Sequence, residues 1–496
     1  MTDLFVCSED NSYAASKVCK EINKITNRDI LPFYITPWHS FINRMDEDGV
    51  KKGINLWSIY SRDSIEKRLK FYNENFNFGN LDNELIRQLG LHINVDQSQI
   101  SDLSNRSYHK GITKLDILNF VDFLIRYYND VLDKYQPKII YDLNYESYNR
   151  KLLYFISEKR KIKYKTIIPS LFEDFVFSST SLGEKINDEY ITSSLKEGDI
   201  IKAREKINLF LKKKSILNKD EIEYSNNLET PLIKYFLKSV YGATRFSLKL
   251  FLKRTSLKLK LPKRDSGFMK IINPSLMEGY LYNIRCIFKL SQAKINTEEK
   301  QNFENYYYFP LGYTIENVSG STLGNILSDF EIINKLRIFM HPLTKIIIKE
   351  HRSMISERSN KQKKFLKNLK FNSFYYIGEK VTSNIQNNPL NLILNSKGVI
   401  VQSGTSGLEG MLLNKPTLIF GNPIYSKFIP KFINPDNPEQ LFNFFVDPEK
   451  FTTPKEEVEK YIGLVIKYGF RLDMTNISYG TISKQKAKEL AKFLVS

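Results

Sequence analysis

The sequence is poor in cysteine: Cys7, Cys19 and Cys286 are the only three in 496 residues. Their spacing matches no metal-binding pattern and is too sparse for a disulfide framework, so neither a zinc site nor a stapled extracellular scaffold is expected. Long apolar runs are absent too, none approaching the roughly 18 residues that span a bilayer. The first residues lack the basic start and apolar stretch of a secretory leader, and the expected location is the cytoplasm. There is no zinc-finger spacing and no RNA-binding aromatic motif, so nucleic acid is not an expected partner. No internal repeat and no low-complexity tract occurs.

Acidic charge is the other scarcity. Fifty-five acidic residues face 74 basic ones, for a net charge of +19. Across 249–264 there are seven basic residues, interleaved with leucines, and no acidic one. One reading is a solvated basic face. The other is a patch for an anionic membrane, where each Lys or Arg gains about 1 kcal/mol and the leucines add shallow insertion. The high lysine, asparagine and isoleucine content also fits an AT-rich genome, which raises charge without function. What is abundant is globular: 42% of residues are hydrophobic, and the length suits two or three domains with their own cores.

Apolar periodicity divides the chain. Residues 1–180 alternate short strands (4–7, 30–35, 138–141, 164–168) with helices, among them a long amphipathic helix over 112–135 ended by Pro137. Such alternation is what a parallel sheet requires. Residues 181–300 read as a helical, basic insertion or inter-domain segment. From 301 to 475 the alternation returns, with strands at 306–311, 344–348 and 374–377 and helices at 326–340 and 389–396. A helix closes the chain over 476–496. The expected fold class is α/β and GT-B-like: two Rossmann-like lobes with a central cleft, the first on the acceptor side and the second on the donor side.

The richest segment is 399–421. It reads as a strand (399–401), a turn of small residues (Ser403, Gly404, Thr405, Ser406, Gly407), a helix (408–413) and a second strand (417–420). A glycine and hydroxyl turn that opens a helix presents unpaired N–H groups and the positive end of the helix dipole. That suits a phosphate, and the β-α-β setting suits a nucleotide.

Three more pieces fall at expected strand ends, where open α/β sheets bind ligands. One is the stretch through Glu316, which is a surface acid or a proton-transfer group. The second is Lys349-Glu350-His351. Lysine supplies a point charge for phosphate; histidine donates to an oxygen or moves a proton near neutrality. The third ends at Gly378. Glu409 either complements the helix dipole or grips a ribose hydroxyl pair. In the first half, Asp142 and Glu146 follow a strand and face the expected cleft, as candidate acid/base or nucleophile. No DxD-like motif stands at a strand end, so no metal site is expected.

Taken in order, Phe-Pro-Leu and Glu316, then Lys349-Glu350-His351, then Ser403-Gly-Thr-Ser-Gly-Leu-Glu409 with Lys415-Pro416 and Phe420-Gly421, resemble the bacterial capsule polysaccharide synthesis family. That family includes β-Kdo transferases with a GT-B-like fold. The resemblance is good over 300–430 and weak over 130–180. Arg352 stands where the family has proline after Lys-Glu-His, and Ile315 where it has proline before Glu316. The resemblance implies a glycosyltransferase with no cofactor, using a nucleotide-sugar co-substrate, a CMP-sugar such as CMP-Kdo. It also implies a glycan or lipid-linked acceptor, which would give the basic patch a purpose. A CDP-glycerol-type glycerophosphotransferase, a nucleotide-sugar epimerase and a non-catalytic basic membrane adaptor stay open.

Overall fold

The computed structural model describes residues 2–7, 12–35, 54, 114–144, 148–180, 190, 194–216, 241, 244, 304–312, 329–341, 343–350, 364–366, 368–369, 374–377, 389–402, 404–421, 423–428, 437–474, 477 and 482–496. The strands are β1 (Thr2–Cys7), β2 (Asp29–Tyr34), β3 (Ile139–Tyr141), β4 (Lys163–Pro169), β5 (Phe175–Ser179), β6 (Tyr306–Pro310), β7 (Lys345–Lys349), β8 (Phe374–Ile377), β9 (Gly398–Val401), β10 (Thr417–Ile419) and β11 (Phe470–Arg471). The helices are α1 (Ser12–Thr26), α2 (Lys114–Tyr135), α3 (Tyr148–Lys159), α4 (Glu197–Ile216), α5 (Asp329–Phe339), α6 (Pro389–Leu394), α7 (Thr405–Leu412), α8 (Pro438–Val446), α9 (Lys455–Tyr468) and α10 (Lys484–Val495).

They form two sheets, and the α/β reading holds. The first sheet runs β11-β5-β4-β3-β1-β2. Strands β2, β1, β3 and β4 are parallel, while β5 and β11 add antiparallel at one side. The second sheet runs β10-β9-β6-β7-β8 and is parallel throughout. Its strands are short, β-branched or aromatic, and buried along their length, as at Ile346, Ile347 and Ile348. That is the pattern of a sheet covered on both faces.

Helix α2 shows why the amphipathic reading succeeds. Leu124, Tyr127, Tyr128 and Val131 recur at three- and four-residue spacing and are fully buried, so one stripe faces the sheet. The Tyr128 hydroxyl donates to the Ile35 carbonyl at 3.0 Å, which satisfies a polar atom that burial would otherwise orphan.

The chain's last segment returns to the first sheet. Strand β11 pairs with β5, and α10 packs on α1 through Ala487, Leu490, Ala491 and Leu494 against Ala14, Ala15 and Val18. Lysines tie it down: Lys17 Nζ donates to Ile482 O, and Lys165 Nζ to Leu494 O and Val495 O, all at 3.0 Å. The Lys165 amine is pulled below the ordinary lysine range by desolvation. Helix α9 contacts β5 of the first sheet, α4, α7 and the 3-10 turn Ile424–Phe428. It therefore belongs to the packing of both sheets. Of the helical segment expected over 181–300, α4 is described; the basic run at 249–264 lies outside the described residues. None of the described helices is long and apolar enough to cross a membrane.

Candidate functional site

In the second sheet β6 comes first in the chain yet lies in the middle. Strands β7 and β8 add on one side, β9 and β10 on the other. The order reverses between β6 and β9, and that is where open α/β sheets take ligands, beyond the carboxyl ends of the strands. The segment leaving β6 is Leu311-Gly312; the segment leaving β9 is Gln402 through Gly404. The small-residue motif thus sits at the switch point of its sheet.

Helix α7 begins earlier than expected. Thr405, Ser406 and Gly407 form its first turn rather than part of a loop. The chemistry survives the correction, because first-turn N–H groups have no partner within the helix. No side chain caps that end: the N-cap is Gly404, with φ 104° and ψ −173°. This backbone region is essentially restricted to glycine. Thr405 is exposed and Ser406 half-buried.

The helix can approach β9 closely because of two glycines. Gly407 and Gly410, three apart and so on one helical face, lie against Val401 and Val399, two apart on one strand face. A methyl at Gly410 would stand 3.0 Å from Val399 Cγ2 and 2.9 Å from Thr417 Oγ1. At the far end, Asn414 adopts φ 55°. Lys415 N donates to Gly410 O and Asn414 N to Met411 O, which is a Schellman closure. Pro416 follows and stops the helix. Glu409, in the second turn, is buried.

The opposite side is organised by a buried carboxylate the motif reading missed. Asp329, fully buried at the start of α5, accepts from Gly312 N at 3.3 Å and 3.1 Å through its two oxygens. A methyl on Gly312 would stand 3.1 Å from Gln402 Oε1, so the segments leaving β6 and β9 are in close contact. Lys349 ends β7 in the same row as Pro310 of β6 and Ile377 of β8. Glu350, next to it, turns inward: its carboxylate accepts from the Tyr376 hydroxyl at 2.9 Å and it is buried. That partner makes Glu350 a brace between the ends of β7 and β8. Glu316, His351, Gly378 and Ser403 lie outside the described residues.

Tyr425, from the 3-10 turn after β10, is also buried, and its hydroxyl donates to Gly404 O at 2.7 Å. No local pattern singles it out, since the contact joins residues 21 apart.

Asp142 is a correction. It does not face a cleft but is fully buried. Oδ1 accepts from Leu143 N at 2.8 Å and Asn144 N at 3.2 Å. Arg150 Nε donates to both oxygens at 3.1 Å and 3.0 Å, and the Tyr164 hydroxyl to Oδ2 at 2.7 Å. Arg150 is itself buried, so two opposite charges satisfy each other in the core. Burial pushes the Asp142 carboxyl up, with the Arg150 charge opposing, and pushes the Tyr164 phenol well up. A carboxylate with every direction occupied is an anchor for the β3–α3 turn rather than a group that meets substrate. Glu146 lies outside the described residues.

Residues 292–428 match the family described as capsule polysaccharide biosynthesis protein. The resemblance read from the motifs therefore holds for the segment that contains β6 to β10. Solved structures similar to the chain include the β-Kdo 2,7 transferase KpsC of Thermosulfurimonas dismutans, 9% identical, covering 64% of this chain and 78% of that one, with a TM-score of 0.33. Another is the UDP-GlcNAc 2-epimerase of Methanocaldococcus jannaschii, 11% identical, covering 95% and 100%, with a TM-score of 0.27. A glycosyltransferase of Rickettsia africae is 11% identical, covering 100% and 98%, with a TM-score of 0.27. No curated protein matches the chain.

Proposed function

We propose that this protein is a glycosyltransferase of surface or capsular polysaccharide assembly, which binds a nucleotide-activated sugar where α7 leaves β9. The observation that carries the reading is the uncapped first turn of α7 at the switch point of a parallel sheet, inside the segment that matches the capsule family. Three amides and a helix dipole converge there on one spot, and a phosphate satisfies both.

The transfer breaks the bond between the anomeric carbon and a phosphate oxygen, and the electron pair leaves with the nucleotide. A bond forms from an acceptor hydroxyl oxygen to that carbon, and the hydroxyl proton passes to a base. In this reading the amides of Thr405, Ser406 and Gly407 stabilise the charge that grows on the departing phosphate. Oriented donors of this kind, already in place, need no reorganisation during reaction. Lys349 adds a positive charge, Glu409 takes the ribose hydroxyls, and Glu316 or His351 accepts the proton. Fixed dipoles and a lysine supply the cationic help, so the proposed route is metal-independent. The donor is a CMP-sugar, with Kdo as the sugar the family suggests. The acceptor is a glycan or glycolipid, reached at the inner face of the membrane through the basic run at 249–264.

The test is release of nucleotide from an activated sugar in the presence of acceptor, with and without a chelator. CMP release that survives the chelator and is lost in Glu409→Ala and His351→Ala is the expected result. Release of CMP from CDP-glycerol, with no sugar transferred, would replace the reading with a glycerophosphotransferase. Interconversion of a UDP-sugar without acceptor would replace it with an epimerase.

A further inference from the structure

We infer that Tyr425 is a positioning residue for the anion-binding turn: its hydroxyl fixes the direction in which the first amide of α7 points. The inference rests on the nucleotide reading above and deepens it.

Gly404 shapes the turn. Its backbone angles, φ 104° and ψ −173°, fall in a region open to glycine alone, and no side chain caps the helix it precedes. The Gly404 carbonyl takes the opening bond of the helix, a single bond at an end that frays. Tyr425 adds a second donor to the same oxygen: its hydroxyl donates to the Gly404 carbonyl at 2.7 Å. The peptide unit is planar and trans, so the Thr405 N–H points opposite to the carbonyl. Pinning one end of that plane aims the other. The amide that begins α7 is thereby held facing away from Tyr425 before any ligand arrives.

The ring is held as firmly as the hydroxyl. Tyr425 is buried and meets Tyr461 of α9 edge-on, with ring centroids 6.3 Å apart and planes at 70°. The Tyr461 hydroxyl donates to Ser170 O, in the segment joining β4 to β5 of the first sheet. Gly407 completes the fit, since a methyl there would run into the Tyr425 hydroxyl and stand 3.2 Å from Cζ. One glycine gives the turn its shape, a second admits the tyrosine, and the tyrosine locks the shape. A lock of this kind lowers the ordering cost of binding.

The experiment is calorimetric titration of CMP into the full chain, wild type, Tyr425→Phe and Tyr128→Phe. Phenylalanine keeps the ring and removes only the donated hydrogen bond. Tyr425→Phe is expected to weaken CMP about fivefold, the equivalent of one net hydrogen bond. Tyr128→Phe also loses a buried hydroxyl bond, but to Ile35 in the first sheet, and is expected to lower thermal stability while leaving CMP affinity unchanged. Equal weakening in both variants would mean general loosening and overturn the inference. Undiminished affinity in Tyr425→Phe, with wild type binding CMP, would overturn it while leaving the nucleotide reading intact. Failure of wild type to bind CMP, CDP or UDP would sink both. Amide exchange provides a check free of variants: in wild type, saturating CMP should slow exchange at Thr405 and Ser406, and no slowing would also count against the inference.

Discussion

Replacing Asp142 by asparagine separates an anchor from a catalyst. The substitution keeps the shape, and the amide oxygen still accepts from Leu143 N and Asn144 N. What changes is the second oxygen, which becomes an NH2 group. The Tyr164 hydroxyl can rotate to accept from it, but the Arg150 guanidinium can only donate. Arg150, with its side chain 2% exposed, is left as a buried cation without its counter-charge. Removing one partner of such a pair costs about 3–5 kcal/mol, against a total of about 5–15 kcal/mol for a typical domain. At about 2–4 °C per kcal/mol for a unit of this size, the unfolding midpoint should fall by roughly 6–20 °C. Thermal unfolding followed by circular dichroism measures it. A second variant sharpens the test. Adding Arg150→Met removes the stranded charge, so the double variant should be more stable than Asp142→Asn alone, a coupling that independent sites would not show. If Asp142→Asn keeps the wild-type midpoint and loses only activity, the residue acts in chemistry and the argument from burial is wrong.

Gly407→Ala places a methyl 3.0 Å from Val401 Cγ2 and against Tyr425. Overpacking should cost about 1–3 kcal/mol and weaken nucleotide binding by displacing the tyrosine. Gly198→Ala, where nothing lies within 4 Å, should instead be neutral or stabilising by up to about 1 kcal/mol; denaturation midpoints that move the same way in both would contradict this contrast. The Cys19 thiol, raised to about 12 by burial, has almost no thiolate at pH 8. In the native protein it should resist a maleimide and react only after denaturation, as peptide mass analysis of labelled samples would report.

The sequence by itself determined most of the strands and helices, though not β5 and β11, for which it carried no expectation. Strand formation in β6, β7 and β9 follows from short apolar runs, and α2 and α10 follow from three- and four-residue apolar spacing. These are local properties, carried by side-chain direction along a single element. The small-residue segment was legible for the same reason, since its five small residues lie next to one another. Even so, the boundary of α7 moved to include Thr405, because small hydroxyl residues are read equally well as a turn or as a first helical turn.

Tertiary structure alone decided the rest. The reversal of strand order between β6 and β9, which puts the small-residue segment at the switch point of its sheet, depends on pairings between distant stretches. So does the placing of Asp142, expected to face the cleft as an acid/base or nucleophile, as a buried partner of Arg150. Strand β11 and the return of α10 to the first sheet rest on contacts such as Lys17 with Ile482, 465 residues apart. Tyr425 reaches Gly404, and Tyr461 reaches Ser170 across 291 residues. Closing such long loops leaves no periodic or compositional trace, because the free energy that holds them comes from burial and hydrogen bonds that exist only after the sheets have formed.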